Sequence, residues 1–206
     1  MAYGLHWEWR GFGPLDPAVR ERIEALPTAQ PGVREETDSY LWTPQCTANV
    51  KFRTFGEGSL KFKRLVRVNG PVQLWLEDPR EEYRLPVLPE AVRKLAEVLG
   101  VVLPLADGPV ERATLWQWLQ QAEGVRIVEV KKRRTVHTWL GNGMQASIEL
   151  ADILTPQPLQ SVGIEGGDQT EAAANAVVSA HDALEVGDVL VALSYLDMLR
   201  RWANHE

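Results

Sequence analysis

Apolar and polar positions alternate with period two along much of this chain. Each alternating run predicts a half-buried β-strand, because successive strand side chains point to opposite faces. "LHWEWRGF" (5–12) opens the series, and "REETDSYLW" (34–42), "ANVKFRTF" (48–55), "LKFKRLVRV" (60–68) and "VQLWLED" (72–78) continue it. Gly56, Gly58 and the Asn69-Gly70 pair fall between runs as turn signals, so a series of antiparallel hairpins is expected. The pattern returns in "VRIVEVKKRRTVHTWL" (125–140), "MQASIELADIL" (144–154) and "LQSVGIEG" (159–166), the first two joined across Gly141-Asn142-Gly143.

Helical spacing marks the remaining segments. Asp16 is a candidate N-cap, Pro17 suits the first helical position, and Val19, Ile23 and Leu26 share one helix face. Pro89 opens an amphipathic helix, "PEAVRKLAEVLG", and "PVERATLWQWLQQAEG" predicts a second. From Asp168 onward the chain reads as helical, in "QTEAAANAVVSAHDALEV" and then "LVALSYLDMLRRWANH". The expectation is one domain over residues 1–206, with a helical insertion at about 88–123 and C-terminal helices at about 168–204.

Composition narrows the class. With 206 residues and 45% hydrophobic content the chain can bury a sizeable core, and Cys46 as the only cysteine excludes a disulfide framework or a cysteine-rich metal cluster. No apolar run approaches membrane-spanning length and the start carries no secretory pattern, so a cytoplasmic protein without a membrane partner is expected. A net charge of -6 argues against a general nucleic-acid binder. The eight tryptophans, Trp7, Trp9, Trp75, Trp116 and Trp118 among them, are expected in core and helix packing rather than in a base-stacking platform.

Charge is distributed unevenly. Residues 51–67 hold six basic residues against one acid, Glu57. Lys51 and Arg53 share one strand face, as do Lys61 and Lys63, and in "VKKRRT" the inward pair is either Lys131 with Arg133 or Lys132 with Arg134. In a closed or strongly curled sheet such pairs converge on one surface; in the alternative they form solvated outer faces with apolar residues inward. "HWEWR" places His6, Glu8 and Arg10 on one face, and "SVGIEG" does the same for Gly163 and Glu165. A carboxylate beside a cation-lined cavity either neutralises it or holds a hard divalent ion that bridges to phosphate oxygens.

Taken in order, these motifs resemble the CYTH superfamily, the triphosphate tunnel metalloenzymes. His6-x-Glu8-x-Arg10 stands where that family has Glu-x-Glu-x-Lys, followed by Asp38-Ser39-Tyr40, Lys51-x-Arg53, Lys61-x-Lys63, Lys132-x-Arg134, "ASIELADI" with Glu149 and Asp152, Gly163-Ile164-Glu165 in place of Glu-x-Glu, and "SYLDMLRR" from Ser194. The resemblance implies an α+β fold, an eight-stranded antiparallel β-barrel with flanking helices. It also implies a phosphorylated small molecule (triphosphate, polyphosphate or nucleotide) as partner, with a homodimer compatible. Arg10, Lys51, Arg53, Lys61, Lys63, Lys132 and Arg134 would bind the substrate. Glu8 and Glu165 would be catalytic, and Glu8, Glu149 and Glu165 would hold Mg²⁺ or Mn²⁺ for hydrolysis of the terminal phosphate. His6 and Gly163 replace two carboxylates of that pattern, which weakens a Mg²⁺ site more than a phosphate site. A catalytically weakened domain that binds a phosphorylated ligand as a sensor or accessory module is the alternative.

Overall fold

The computed structural model describes residues 4–30, 32–53 and 58–204. In chain order the elements are β1 (Leu5–Gly13), α1 (Pro17–Glu24), β2 (Arg34–Trp42), β3 (Asn49–Arg53), β4 (Ser59–Asn69), β5 (Val72–Leu76), β6 (Glu82–Arg84), α2 (Pro89–Leu99), α3 (Arg112–Gln121), β7 (Arg126–Gly141), β8 (Met144–Thr155), β9 (Leu159–Glu165), α4 (Glu171–Leu184), β10 (Val191–Ala192) and α5 (Tyr195–Asn204). Eight strands close into a barrel in the order β1, β5, β4, β3, β2, β7, β8, β9, with β9 returning to β1. All these pairings are antiparallel. The expected α+β barrel with flanking helices is therefore the fold adopted.

Its polarity is inverted relative to a barrel filled by apolar side chains. Val50, Phe52, Leu60 and Phe62 point outward, fully buried beneath α2 and α3, where they meet Leu95, Leu99, Leu115 and Leu119. On the opposite wall Trp7, Trp9, Ile148, Leu150, Val162 and Ile164 pack against α1 and α4. Ala173, Ala174, Ala176 and Ala180 form the buried stripe of α4, and their small size lets the helix lie close to the strands. With apolar residues committed to the helical jacket, the alternate positions of the same strands face the interior.

Several boundaries differ from expectation for identifiable reasons. The last helix begins at Tyr195, not Leu190, because Val191 and Ala192 pair with Phe12 and Gly11 of β1. Ser194 and Asp197 then close a reciprocal cap, Asp197 N donating to Ser194 Oγ at 3.1 Å and Ser194 N to the Asp197 carboxylate at 3.0 Å. The fifth strand stops at Leu76, and β6, which alternation did not suggest, pairs with β4. Gly56, read as a turn residue, lies outside the described residues.

Helix α5 stoppers one end of the barrel. Tyr195, Met198, Leu199 and Trp202 pack there against Phe12, Tyr40, Trp42, Val128, Val130 and Ile153. The outer shell should carry much of the stability. Phe62→Ala is expected to lower unfolding free energy by about 3–5 kcal/mol. Val66→Ala, at an exposed site on the same strand, should stay within about 0.5 kcal/mol. Urea denaturation of the two variants checks this.

Candidate functional site

Strand alternation and barrel closure bring the charged positions together. A cavity of about 210 Å³ is lined by seven cations, Arg10, Lys51, Arg53, Lys61, Lys63, Lys132 and Arg134. These are the seven expected from the sequence, and of the two readings of "VKKRRT" the structure selects Lys132 with Arg134. Lys131 instead turns outward to Glu35, at 2.6 Å. Five carboxylates share the lining: Glu8, Glu36, Glu77, Glu149 and Glu165. Arg53 and Glu165 are about two-fifths exposed at the mouth, whereas Glu8 and Arg10 are 6% exposed in the interior.

Every one of these cations is engaged. Lys51 meets Asp38 at 2.6 Å, Lys61 meets Glu77 at 2.5 Å, and Arg53 reaches Glu82 at 3.4 Å. Lys63 bonds Glu8 and lies 3.3 Å from Glu77. Arg134 spans Glu36 at 2.7 Å and Glu149 at 2.9 Å, and Lys132 lies 3.5 Å from Glu149. Beneath them Tyr40 and Tyr195 stack at 5.3 Å as an aromatic floor, with Arg10 and Lys132 over the Tyr195 ring and Lys51 over Tyr40.

Protonation follows from burial and these partners. Burial works against charge on Glu8, but Lys63 and Arg10 hold its carboxyl well below the usual range. Glu149 is likewise held low by Lys132, Arg10 and Arg134 despite its burial. Glu165 goes the other way: although part of its side chain reaches the mouth, the protein packed around its carboxyl strips away water and, with the charge of Glu8, raises it. Burial is the largest effect on Lys51, and with the facing Lys132 it lowers the ammonium to about 8 although Asp38 opposes the shift. Burial would raise Glu77, yet Lys63 and Lys61 bring it down to about 2.

The expected metal ligands are not gathered into one group. His6, Glu8 and Glu165 place ligand atoms within 4.8 Å of one another. Glu149 is outside that group, held at 3.0 Å by Arg10 and by Arg134 and Lys132 as described. In the smaller group Glu8 is already spoken for, since one oxygen accepts from Arg10 Nε at 2.8 Å and the other from Lys63. Mg²⁺ takes a near-octahedral oxygen set at about 2.0–2.1 Å. A central carboxylate held by a guanidinium and an ammonium, beside an imidazole, does not fit that ion. The structure thus sets Glu8 and Glu165 beside His6, and Glu149 among Arg10, Lys132 and Arg134.

Glu36, Tyr40, Asn49, Trp75, Glu77 and Tyr195 also line the cavity, although none was expected to bind substrate or metal. Glu36 shares the face of Asp38 and Tyr40 by period two, and Glu77 follows Trp75 by the same rule, so both were accessible to pattern. Tyr195 reaches the cavity only because α5 packs on the barrel end. Trp75 is buried, as expected, but against the cavity with Lys63 5.4 Å from its ring.

Glu77 yields a pH prediction. Its folded value lies below its unfolded one, so its contribution is complete above about pH 4.5 and lost as pH falls toward 2. With partial exposure discounted, the contribution is on the order of 2 kcal/mol. Chemical denaturation from pH 6 to 2 should show a shallower acid loss for Glu77→Gln than for the wild type.

No protein-family model matches this sequence, and no curated protein matches it. Solved structures do. A conserved hypothetical protein from Pyrococcus furiosus superposes with a TM-score of 0.54 at 16% identity, over 93% of this chain and 98% of its own. The PH1819 protein from Pyrococcus horikoshii gives 0.54 at 14% identity, over 95% and 98%. The PH1012 protein from the same organism gives 0.51 at 15% identity, over 92% and 98%. These likenesses show the fold alone, the closed antiparallel barrel expected from the motif order.

Proposed function

We propose that the chain binds a phosphorylated small molecule, of the tripolyphosphate, longer polyphosphate or nucleoside triphosphate class, within the tunnel. The observation that carries this reading is the convergence of seven cations from four strands on one cavity. A phosphate chain presents anionic oxygens along its length, and each lysine or arginine that swings from a carboxylate to a phosphate oxygen exchanges one charge-assisted hydrogen bond for another. Two polar atoms support it. Tyr195 Oη and Arg134 Nε are buried without hydrogen-bond partners on residues that line the cavity, an arrangement that a ligand oxygen would satisfy.

Charge accounting shapes how binding occurs. Asp38 and Glu82 back Lys51 and Arg53, so the resting tunnel is close to neutral. A polyanion entering it favours protonation of groups poised to accept a proton. Lys51, at about 8, is one, and Glu165, raised by burial and Glu8, is another. Binding is therefore coupled to proton uptake. The resemblance also carried hydrolysis of the terminal phosphate, with Glu8 and Glu165 as catalytic groups. The donor set does not fit the hard ion which that chemistry uses, and capture of the anion is the function the geometry supports best.

Titration calorimetry with tripolyphosphate and nucleoside triphosphates tests the reading, with phosphate release measured on the same samples. The wild type should bind, and Lys61→Gln should bind about tenfold or more weakly, the loss of one charged hydrogen bond. Absence of binding by every phosphorylated anion would remove the proposal, and release of phosphate would restore the hydrolase reading. A second expectation concerns pH. Tripolyphosphate affinity should fall as pH rises through about 8, where Lys51 loses its charge, and Lys51→Arg should flatten that fall. The ammonium's own effect on stability has the opposite sign. Between about pH 8 and the unfolded lysine value the unfolded chain holds a proton that the native chain has released, so stability from this group rises with pH.

A further inference from the structure

The Arg10 guanidinium occupies the centre of the three carboxylates expected to hold a metal. Nε donates to Glu8 at 2.8 Å, Nη1 to Glu149 at 3.0 Å, and Nη2 lies 3.9 Å from Glu165. Nη1 also bonds Ser161 Oγ at 3.2 Å, and the Tyr195 ring lies 5.0 Å away. One planar cation thus directs a different nitrogen at each carboxylate.

Its position depends on Gly163. The two residues are direct partners across β1 and β9, and a Cβ at 163 would stand 2.4 Å from Nη2 and 2.7 Å from Cζ of Arg10. A guanidinium is the end of a flexible side chain, but this one could swing aside only by leaving its carboxylates in an interior where it is 6% exposed. Glycine at 163 and arginine at 10 are consequently one device. Where the motif order calls for another glutamate, this chain has open space filled by a cation from the neighbouring strand.

We infer that Arg10 serves as a built-in replacement for a divalent ion, so that Glu8, Glu149 and Glu165 are neutralised by the protein itself and the tunnel takes its anion without metal. The inference rests on the reading of the tunnel as a phosphate site for its last clause only. A guanidinium keeps its charge at every physiological pH and cannot be removed by a chelator. It offers hydrogen-bond donors to phosphate oxygens in a fixed fork, which a bare lysine does not.

The decisive experiment uses no phosphate. Mn²⁺, followed by electron paramagnetic resonance and by thermal shift, is titrated into the wild-type protein and into Arg10→Ala and Arg10→Lys. The wild type should show no specific Mn²⁺ site and no stabilisation by millimolar Mn²⁺. Arg10→Ala removes the one cation that all three carboxylates share, while Lys63 stays on Glu8 and Arg134 and Lys132 stay on Glu149. It should gain Mn²⁺ binding by at least about tenfold, with its melting temperature restored by the metal, since an ion that binds only the folded state stabilises it. Arg10→Lys should lie between the two. A tight Mn²⁺ site in the wild type would overturn the inference, as would a folded Arg10→Ala that gains no metal. Should Arg10→Ala fail to fold, the wild-type titration and Arg10→Lys still decide. Tripolyphosphate binding with and without a chelator then tests the last clause. Equal affinity supports it, and binding only with metal overturns it. No binding in either condition sinks the phosphate reading while leaving the metal result intact.

Discussion

The structure depends on mutual neutralisation of charge inside the barrel. Removing an ion from water costs several kcal/mol even after relaxation, and an ion is tolerated in a protein interior only where a partner and further hydrogen bonds offset that cost. Each inward cation here has a carboxylate across or beside it. Strand register is what places them so. A slip of one residue in β1 would turn Trp7 and Trp9 into the tunnel and push Glu8 and Arg10 into the apolar shell beneath α4. The helical jacket and the ionic interior therefore specify the same register from opposite faces of each strand.

Much of this arrangement was legible because period two is a local property. Lys51, Arg53, Lys61 and Lys63 declare a shared face by spacing alone, and the fully buried Phe52 and Phe62 between them declare the other. Four consecutive cations at 131–134 carry no such contrast, so either pair could have turned inward until the pairing of β7 with β2 and β8 was known. Long-range placement was the part that pattern could not supply. Val191, Ala192 and Leu193 suit a helix by spacing, but pairing with β1 and a cap at Ser194 take precedence. Gly163 was visible as a departure from the motif order. Its cause, a side chain 153 positions earlier in the chain, was not.

The two ends of the tunnel differ in consequence. Toward α5 the wall becomes aromatic and apolar, with the Tyr40–Tyr195 stack as its last polar-capable layer. Toward the mouth, Glu165, Arg53 and Glu77 remain partly exposed, so a ligand's charged groups meet solvated partners first and desolvated ones deeper in. Side chains that already hold carboxylates are pre-positioned, which reduces the rotamer entropy lost when an anion takes over.

The contact between Arg10 and Gly163 also sets an order on how this sequence can change. Any side chain gained at 163 while arginine stands at 10 meets the guanidinium at less than contact distance. Shortening residue 10 first takes from the buried Glu8 and Glu149 one of the cations that offset their charge. Both single steps are disfavoured although the double change need not be. The pair therefore behaves as an epistatic lock, and a lineage that has acquired it tends to keep both residues or lose both together.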